Sequence, residues 1–229
     1  MNYNIIGKPM PIVELKMNKG ESVYTQSGAM CWMSEGMKMS TNMKGGFMKS
    51  LGRLFTGESL FMVTYEAERD NADISFAATL PGEIHRVELG EGKEYIAQKQ
   101  SFLCAEHSVN LSVYFQKKIA AGLFGGEGFL LQKLSGSGAA YLEISGSVIE
   151  RELAPGEKLL VDTSHVAYFE STCDFDVQTV KGFKNILFGG EGLFLTTITG
   201  PGKVWLQTMT AANIAEKLIP YIPQPSSSN

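Results

Sequence analysis

Three Gly-Glu pairs, Gly57-Glu58, Gly126-Glu127 and Gly190-Glu191, stand out in this chain as residues whose type and spacing could do chemistry. Gathered around one axis, three carboxylates would offer hard oxygen ligands to a cation. The plainer role is a turn glutamate that accepts hydrogen bonds from the backbone of its own segment. Repetition favours that plainer role, because acid–base catalysis needs two carboxylates in different environments and copied segments give like ones. The sequence Gly-Gly-Glu-Gly at 125–128 and 189–192 resembles a phosphate loop only superficially. Such a loop leads from a strand through glycines into a helix and ends in Gly-Lys-Ser/Thr. Here a helical pattern precedes the glycines, a strand pattern follows, and the Lys-Ser/Thr ending is missing.

The other reactive side chains form no recognised motif. His85, His107 and His165 have no His-x-His, His-Glu-x-x-His or Cys-x-x-Cys context, so a metal site would have to come from residues distant in sequence. The cysteines, Cys31, Cys104 and Cys173, are odd in number and widely spaced, which fits a reducing compartment better than a disulfide framework. Met30-Cys31, Leu103-Cys104 and Val166-Ala167 fall at matching places, and a place that takes Cys, Cys and Ala reads as a small buried core site. Ser135-Gly136-Ser137 is a turn, not a nucleophile elbow.

One segment, 36–57, carries a candidate binding surface. Lys38, Lys44, Lys49 and Arg53 stand there with Phe47 and four methionines, and no acidic residue interrupts them. A basic amphipathic stretch of this kind can lie on an anionic membrane or grip a protein partner. The competing reading is a loop whose methionines fold back on the core. The chain as a whole has a net charge of −4 and lacks a basic stripe, so nucleic acid is not an expected partner.

The elements that must position these residues repeat. Lys49 to Glu58 returns as Lys118 to Glu127, and again one residue longer as Lys181 to Glu191, giving a period of about 65–70 residues. Upstream, Val13-Glu14-Leu15, Val87-Glu88-Leu89 and Arg151-Glu152-Leu153 each precede a glycine (Gly20, Gly92, Gly156) and a second strand pattern. Downstream, the apolar runs 59–65, 128–134 and 192–198 read as buried strands. Leu80-Pro81-Gly82 and Ser145-Gly146-Ser147 mark the turns between units. The expected fold is therefore all-β: one compact body over 1–220, made of three units at roughly 11–82, 83–149 and 150–210. Short helical periodicity appears before each Gly-Glu pair. A C-terminal helix over 210–219 is expected, capped by Thr210, stopped by Pro220 and suited to covering an open sheet edge. Residues 221–229, rich in Pro and Ser, read as a disordered tail.

The opening Gly20-Glu21-Ser22-Val23-Tyr24 with Gly28-Ala29-Met30, the Gly57-to-Phe61 segment and the Gly-Gly-Glu-Gly copies together resemble the altered-inheritance-of-mitochondria family, over about residues 1–220. Bacterial members of that family are catalogued as a domain of unknown function. The resemblance implies a TRAP-like fold, similar to the tryptophan-RNA-binding attenuation protein, built from short double-stranded β-helix units. It also implies a ring-like homo-oligomer, with a trimer favoured. It supplies no catalytic residues. The expected function is a non-enzymatic binding or scaffold protein of the bacterial cytoplasm without a cofactor, since no signal-peptide pattern or membrane-length apolar run is present. Two other readings stay open: peripheral membrane association through 36–57, and a metal-dependent or small-molecule enzyme of cupin-like type.

Overall fold

A computed structural model describes residues 1–26, 28–41, 62–117, 129–179 and 194–222. Nearly all regular structure in them is strand. Edge strand β1 (Asn2–Ile6) is followed by three successive sets of six. The first set is β2 (Ile12–Met17), β3 (Ser22–Gln26), β4 (Met30–Met33), β5 (Met37–Ser40), β6 (Met62–Ala67) and β7 (Ala72–Ala77). The second is β8 (Gly82–Leu89), β9 (Tyr95–Gln98), β10 (Phe102–Glu106), β11 (Val109–Lys117), β12 (Phe129–Gly136) and β13 (Gly138–Ser145). The third is β14 (Val148–Leu153), β15 (Lys158–Asp162), β16 (Val166–Glu170), β17 (Asp174–Thr179), β18 (Phe194–Thr199) and β19 (Gly202–Gln207). The helix α1 (Ala211–Leu218) closes the described chain with a 3-10 turn, Ile219–Tyr221.

Pairing follows one rule in every set. The first strand pairs with the sixth and the sixth with the third; the second pairs with the fifth and the fifth with the fourth. Strands between sets close two seams: β3 with β10, and β9 with β16. The result is two six-stranded sheets, β5-β6-β3-β10-β13-β8 and β11-β12-β9-β16-β19-β14, flanked by β1-β2-β7-β4 and β15-β18-β17.

Local chemistry accounts for the strands. In β2, Val13, Leu15 and Met17 are buried while Ile12, Glu14 and Lys16 are not, the period-2 alternation of a sheet with one covered face. β13 runs buried through Ala139, Ala140, Tyr141 and Leu142, as a strand covered on both faces must. The first-to-second strand turns recur as well. Gly20, Gly92 and Gly156 adopt left-handed φ of +86°, +83° and +78°, which glycine enters without a Cβ penalty. The following glutamates, Glu21 and Glu157, accept hydrogen bonds from the N–H of Asn18 (2.7 Å) and Ala154 (2.9 Å), each three residues back.

These turns set the register, and it differs from the sequence match in the first set. Met17, Leu89 and Leu153 each lie three residues before the glycine, so Leu15-Lys16-Met17 is the counterpart of Val87-Glu88-Leu89, not Val13-Glu14-Leu15. The shift of two leaves every side chain on its expected face.

The core does not divide along the sets. Leu103, Cys104 and Tyr141 of the second set pack with Val13, Leu15 and Phe76 of the first. Tyr24 of the first set and Tyr168 of the third pack with Phe102 and Leu142 of the second. A set taken alone would leave those faces in water, at roughly 25 cal/mol per Å² of apolar surface.

The cysteine expectation is half wrong. Cys104 is buried, but Cys31 is exposed. β4 is a sheet edge, whereas β10 and β16 are each paired on both sides, and that is the reason. Irregularities in the three strands place Trp32, Cys104 and Tyr168 at one position, opposite Ser75, Tyr141 and Trp205, so the counterparts of Cys31 are Leu103 and Ala167, both buried. Helix α1 is capped as expected, Thr210 Oγ1 accepting from Asn213 N at 3.1 Å. It does not cover a sheet edge. No residue of it is buried, and Ala211, Ala212 and Ala215 line a cleft instead. The Gly-Glu pairs 57–58, 126–127 and 190–191, the helical patterns before them, and Lys44, Phe47, Lys49 and Arg53 lie outside the described residues.

Candidate functional site

The cleft beneath α1 is where strand ends bring polar side chains together. β3 and β9 end at Gln26 and Gln98, and β15 ends at Asp162, the same place in each set. After Gln98 a 3-10 turn, Lys99–Ser101, leads the chain into β10. After Asp162 the turn Thr163–His165 does the same for β16, held by Asp162 Oδ1 accepting from Ser164 N at 2.9 Å and Ser164 Oγ at 2.6 Å. The sixth strands supply a second row. Ala77, Glu143 and Gln207 share one register position, and Glu143 and Gln207 line the cleft with Thr79. Its volume is about 710 Å³, within the range of small-molecule sites, about 300–1,000 Å³.

Several of these groups are fixed before any ligand arrives. Gln207 Oε1 accepts from Ser145 N (3.2 Å), and its Nε2 donates to Ser164 O (2.9 Å). Gln98 Nε2 donates to Thr163 O at 2.8 Å. The Glu143 carboxylate accepts from Thr79 N at 2.6 Å and Thr79 Oγ1 at 3.3 Å. Burial pushes its pKa above the ordinary carboxylate range, and the two Thr79 hydrogen bonds offset part of that shift. Gln26 Nε2 is buried and has no hydrogen-bond partner. The cleft can therefore bind through hydrogen bonds and one carboxylate.

A second cluster joins His85 to aromatic residues at the β9–β16 seam. His85 Nδ1 lies 2.8 Å from Tyr168 Oη, and Trp205 Nε1 donates to Glu150 Oε2 at 2.9 Å. Burial lowers the His85 pKa, although Glu83 and Glu150 act to raise it, and burial raises that of the Tyr168 phenol. A neutral imidazole beside a phenol that resists ionisation makes a structural network.

Among the sequence-selected residues, Lys38 lies exposed on β5, opposite Glu66 of β6. The three histidines sit apart: His85 on β8, His107 between β10 and β11, and His165 in a turn with Nδ1 2.7 Å from Gln207 O. Among the described residues no group of three His, Cys, Asp or Glu side chains could hold a metal ion, and no helix is long and apolar enough to cross a membrane. Burial raises the Cys104 thiol pKa well above its usual value and that of Cys173 to about 11, so neither thiol is poised as a thiolate. Sequence reasoning passed over Gln26, Gln98, Glu143 and Gln207. Their one sequence signal is polar residues recurring at the ends of apolar strands.

The chain is 30% identical over 226 residues to an uncharacterised protein of Streptococcus pyogenes serotype M6, covering 96% of this chain and 89% of that protein. A crystal structure of a Streptococcus pyogenes protein, solved by a structural genomics consortium, superposes with a TM-score of 0.80 at 27% identity, covering 96% of this chain and 99% of that one. A family model described as "Mitochondrial biogenesis AIM24" matches residues 3–209. The chain therefore belongs to the AIM24 family.

Proposed function

We propose that this protein is a non-enzymatic binding scaffold of the bacterial cytoplasm that joins copies of itself head to tail into a ring, with three copies favoured. Each set of six strands is read as one short double-stranded β-helix unit of the TRAP-like kind. The observation that carries the proposal is a pair of open edges. Seams form where the third strand of one set meets the second strand of the preceding set. Among the described residues two strands of those kinds are left over, β4 and β15, and both are sheet edges.

The side chains fit the reading. In the two closed seams Ala105 faces Tyr24 and Phe169 faces Ile96, all buried. The corresponding residues on the open edges are Met33 and Leu160, 37% and 63% exposed, and beside Met33 is Trp32, 48% exposed. Exposed apolar edge strands invite pairing with another chain. Joining β4 to β15 of the next copy gives the sheet order β1-β2-β7-β4-β15-β18-β17, the seam order of β8-β13-β10-β3-β6-β5 with β1 added. The contact is heterologous, so it must close into a ring or run on as a filament. The ring is the form that the family resemblance implies.

Light scattering on the eluting protein tests this. Wild type is expected at the mass of three copies, and Trp32→Lys or Leu160→Lys as monomers. An equal mixture of the two variants keeps one good edge on each partner and is expected to give a two-chain species. A monomeric wild type, or variants that still form the ring, would sink the proposal.

A further inference from the structure

β2, β8 and β14 are the first strands of the three sets, and among the described residues only β2 has a strand on its outer side. That strand is β1, laid antiparallel with Tyr3 opposite Leu15 and Ile5 opposite Val13. Tyr3 reaches across to the next sheet. Its ring meets Tyr141 edge-on at 5.8 Å, and the Arg86 guanidinium lies 4.7 Å from its centroid. The next junction along the chain repeats this frame. Gly82 N donates to Pro9 O and Gly146 N to Pro81 O, both at 2.7 Å. Val87 stands where Leu15 stands, Trp205 where Tyr141 stands, and Glu150 where Arg86 stands. No described strand lies beside β8, and Trp205 is only half-buried.

We propose that the outer edge of β8 receives an extended, basic peptide segment of a partner protein, antiparallel as β1 is on β2, with an arginine or lysine over Trp205 and Glu150. The backbone of the edge is suited to this. Gly82 N points outward, and β8 pairs with β13 without a register shift, so the N–H groups of Ile84, Arg86 and Glu88 point outward as well. Such an edge binds through main-chain hydrogen bonds, and its side-chain contacts give specificity. Charge complementarity selects the side chain. In the first junction the added strand supplies a ring and the facing sheet supplies a cation. In the second the facing sheet supplies the ring and a carboxylate, so the complement is a cation. Glu150 accepts from Trp205 Nε1 at 2.9 Å and Lys203 Nζ at 2.7 Å, which holds it beside the ring. Glu83, exposed on the face of β8 that carries His85, adds a second carboxylate. β14 is the weaker candidate, because no fourth set follows it to supply a ring and a carboxylate. The inference does not depend on ring assembly.

Surface plasmon resonance on immobilised peptides tests it. Three peptides copy residues 2–6, with the native Tyr3, with Tyr3→Arg or with Tyr3→Glu. Wild-type protein is expected to bind the arginine peptide at least tenfold more tightly than the glutamate peptide. In the protein, Glu150→Lys is expected to reverse that order. Glu88→Pro removes an outward N–H without removing a bond to β13, a change an edge strand tolerates, and is expected to weaken binding of the arginine peptide tenfold or more. Circular dichroism and thermal melts establish that each variant is folded, and if Glu88→Pro does not fold, Glu150→Lys carries the test. No binding of the arginine peptide, equal affinity for the arginine and glutamate peptides, an order unchanged in folded Glu150→Lys, or undiminished binding to folded Glu88→Pro would overturn the proposal.

Discussion

The rings of Tyr168 and Trp205 lie stacked, with centroids 4.4 Å apart and planes 8° from parallel. They are direct neighbours across the β16–β19 pair. Tyr95 of β9 meets both rings edge-on, so three strands from two sets share one aromatic contact at a seam. Tyr168 is among the largest fully buried side chains, or nearly so, and its hydroxyl reaches His85. Tyr168→Ala is expected to cost about 3–5 kcal/mol, the range for truncating a buried aromatic. Tyr168→Phe removes the hydroxyl's bond with His85 and is expected to cost about 1 kcal/mol. Urea unfolding followed by far-UV circular dichroism measures both, and equal effects of the two variants would refute the packing role.

His85 gives this region a pH dependence. Its folded-state pKa is lowered by burial, so the unfolded chain binds more protons between that value and 6.5. Stability from this group is full above pH 6.5 and falls as pH drops through that window. The charged groups around the ring, Glu83 and Glu150, oppose the shift without reversing it. His85→Gln is expected to flatten the dependence of melting temperature on pH there. An unchanged slope would assign it elsewhere.

Glu143 works in the opposite direction. Its folded-state pKa is raised above 4.5, so the folded protein binds more protons in the window just above that value. Stability from this group is therefore greater at the acid side and is lost as pH rises through the window. Glu143→Gln is expected to remove that loss and to melt no lower than wild type at neutral pH. A variant that melts lower at neutral pH but normally in acid would contradict the shift.

Gly82 is required by a close approach. A Cβ there would run into the carbonyl oxygen of Ile144, a backbone atom paired in the β8–β13 ladder. Gly82→Ala is expected to destabilise by about 1–3 kcal/mol or more, as overpacking against backbone does. Gly20→Ala meets no neighbouring atom and pays only for its left-handed backbone, so it is expected to cost less. Chemical denaturation of both variants ranks them.

The open edges predict a register. By analogy with the closed seams, the proposed ring would place Met33 of one copy opposite Leu160 of the next. Met33→Cys with Leu160→Cys, on a Cys31→Ser background, is expected to form intermolecular disulfides on mild oxidation, because directly opposed strand residues have Cα atoms about 4.5–5.5 Å apart. The crosslinked ladder should stop at three chains on a denaturing gel. Crosslinking by Met33→Cys alone would reveal a symmetric contact instead.

What the sequence determined is what depends on near neighbours. Period-2 alternation marked strands such as β2. Glycines at 20, 92 and 156 marked turns that need a positive φ, and Thr210 marked the start of α1. The threefold recurrence and the all-β class followed from the same local signals. The tertiary structure alone decided which strand lies beside which. A two-residue shift in β2 keeps every side chain on its face, so alternation could not distinguish Val13 from Leu15 as the partner of Val87. Whether Cys31 is buried depends on whether another strand covers the β4 edge, and that is not written next to the residue. The cleft draws Gln26, Gln98, Glu143 and Gln207 from all three sets. Each ends, or nearly ends, a strand that is unremarkable alone. Their convergence is a property of the seams, which form only when the sets fold against one another.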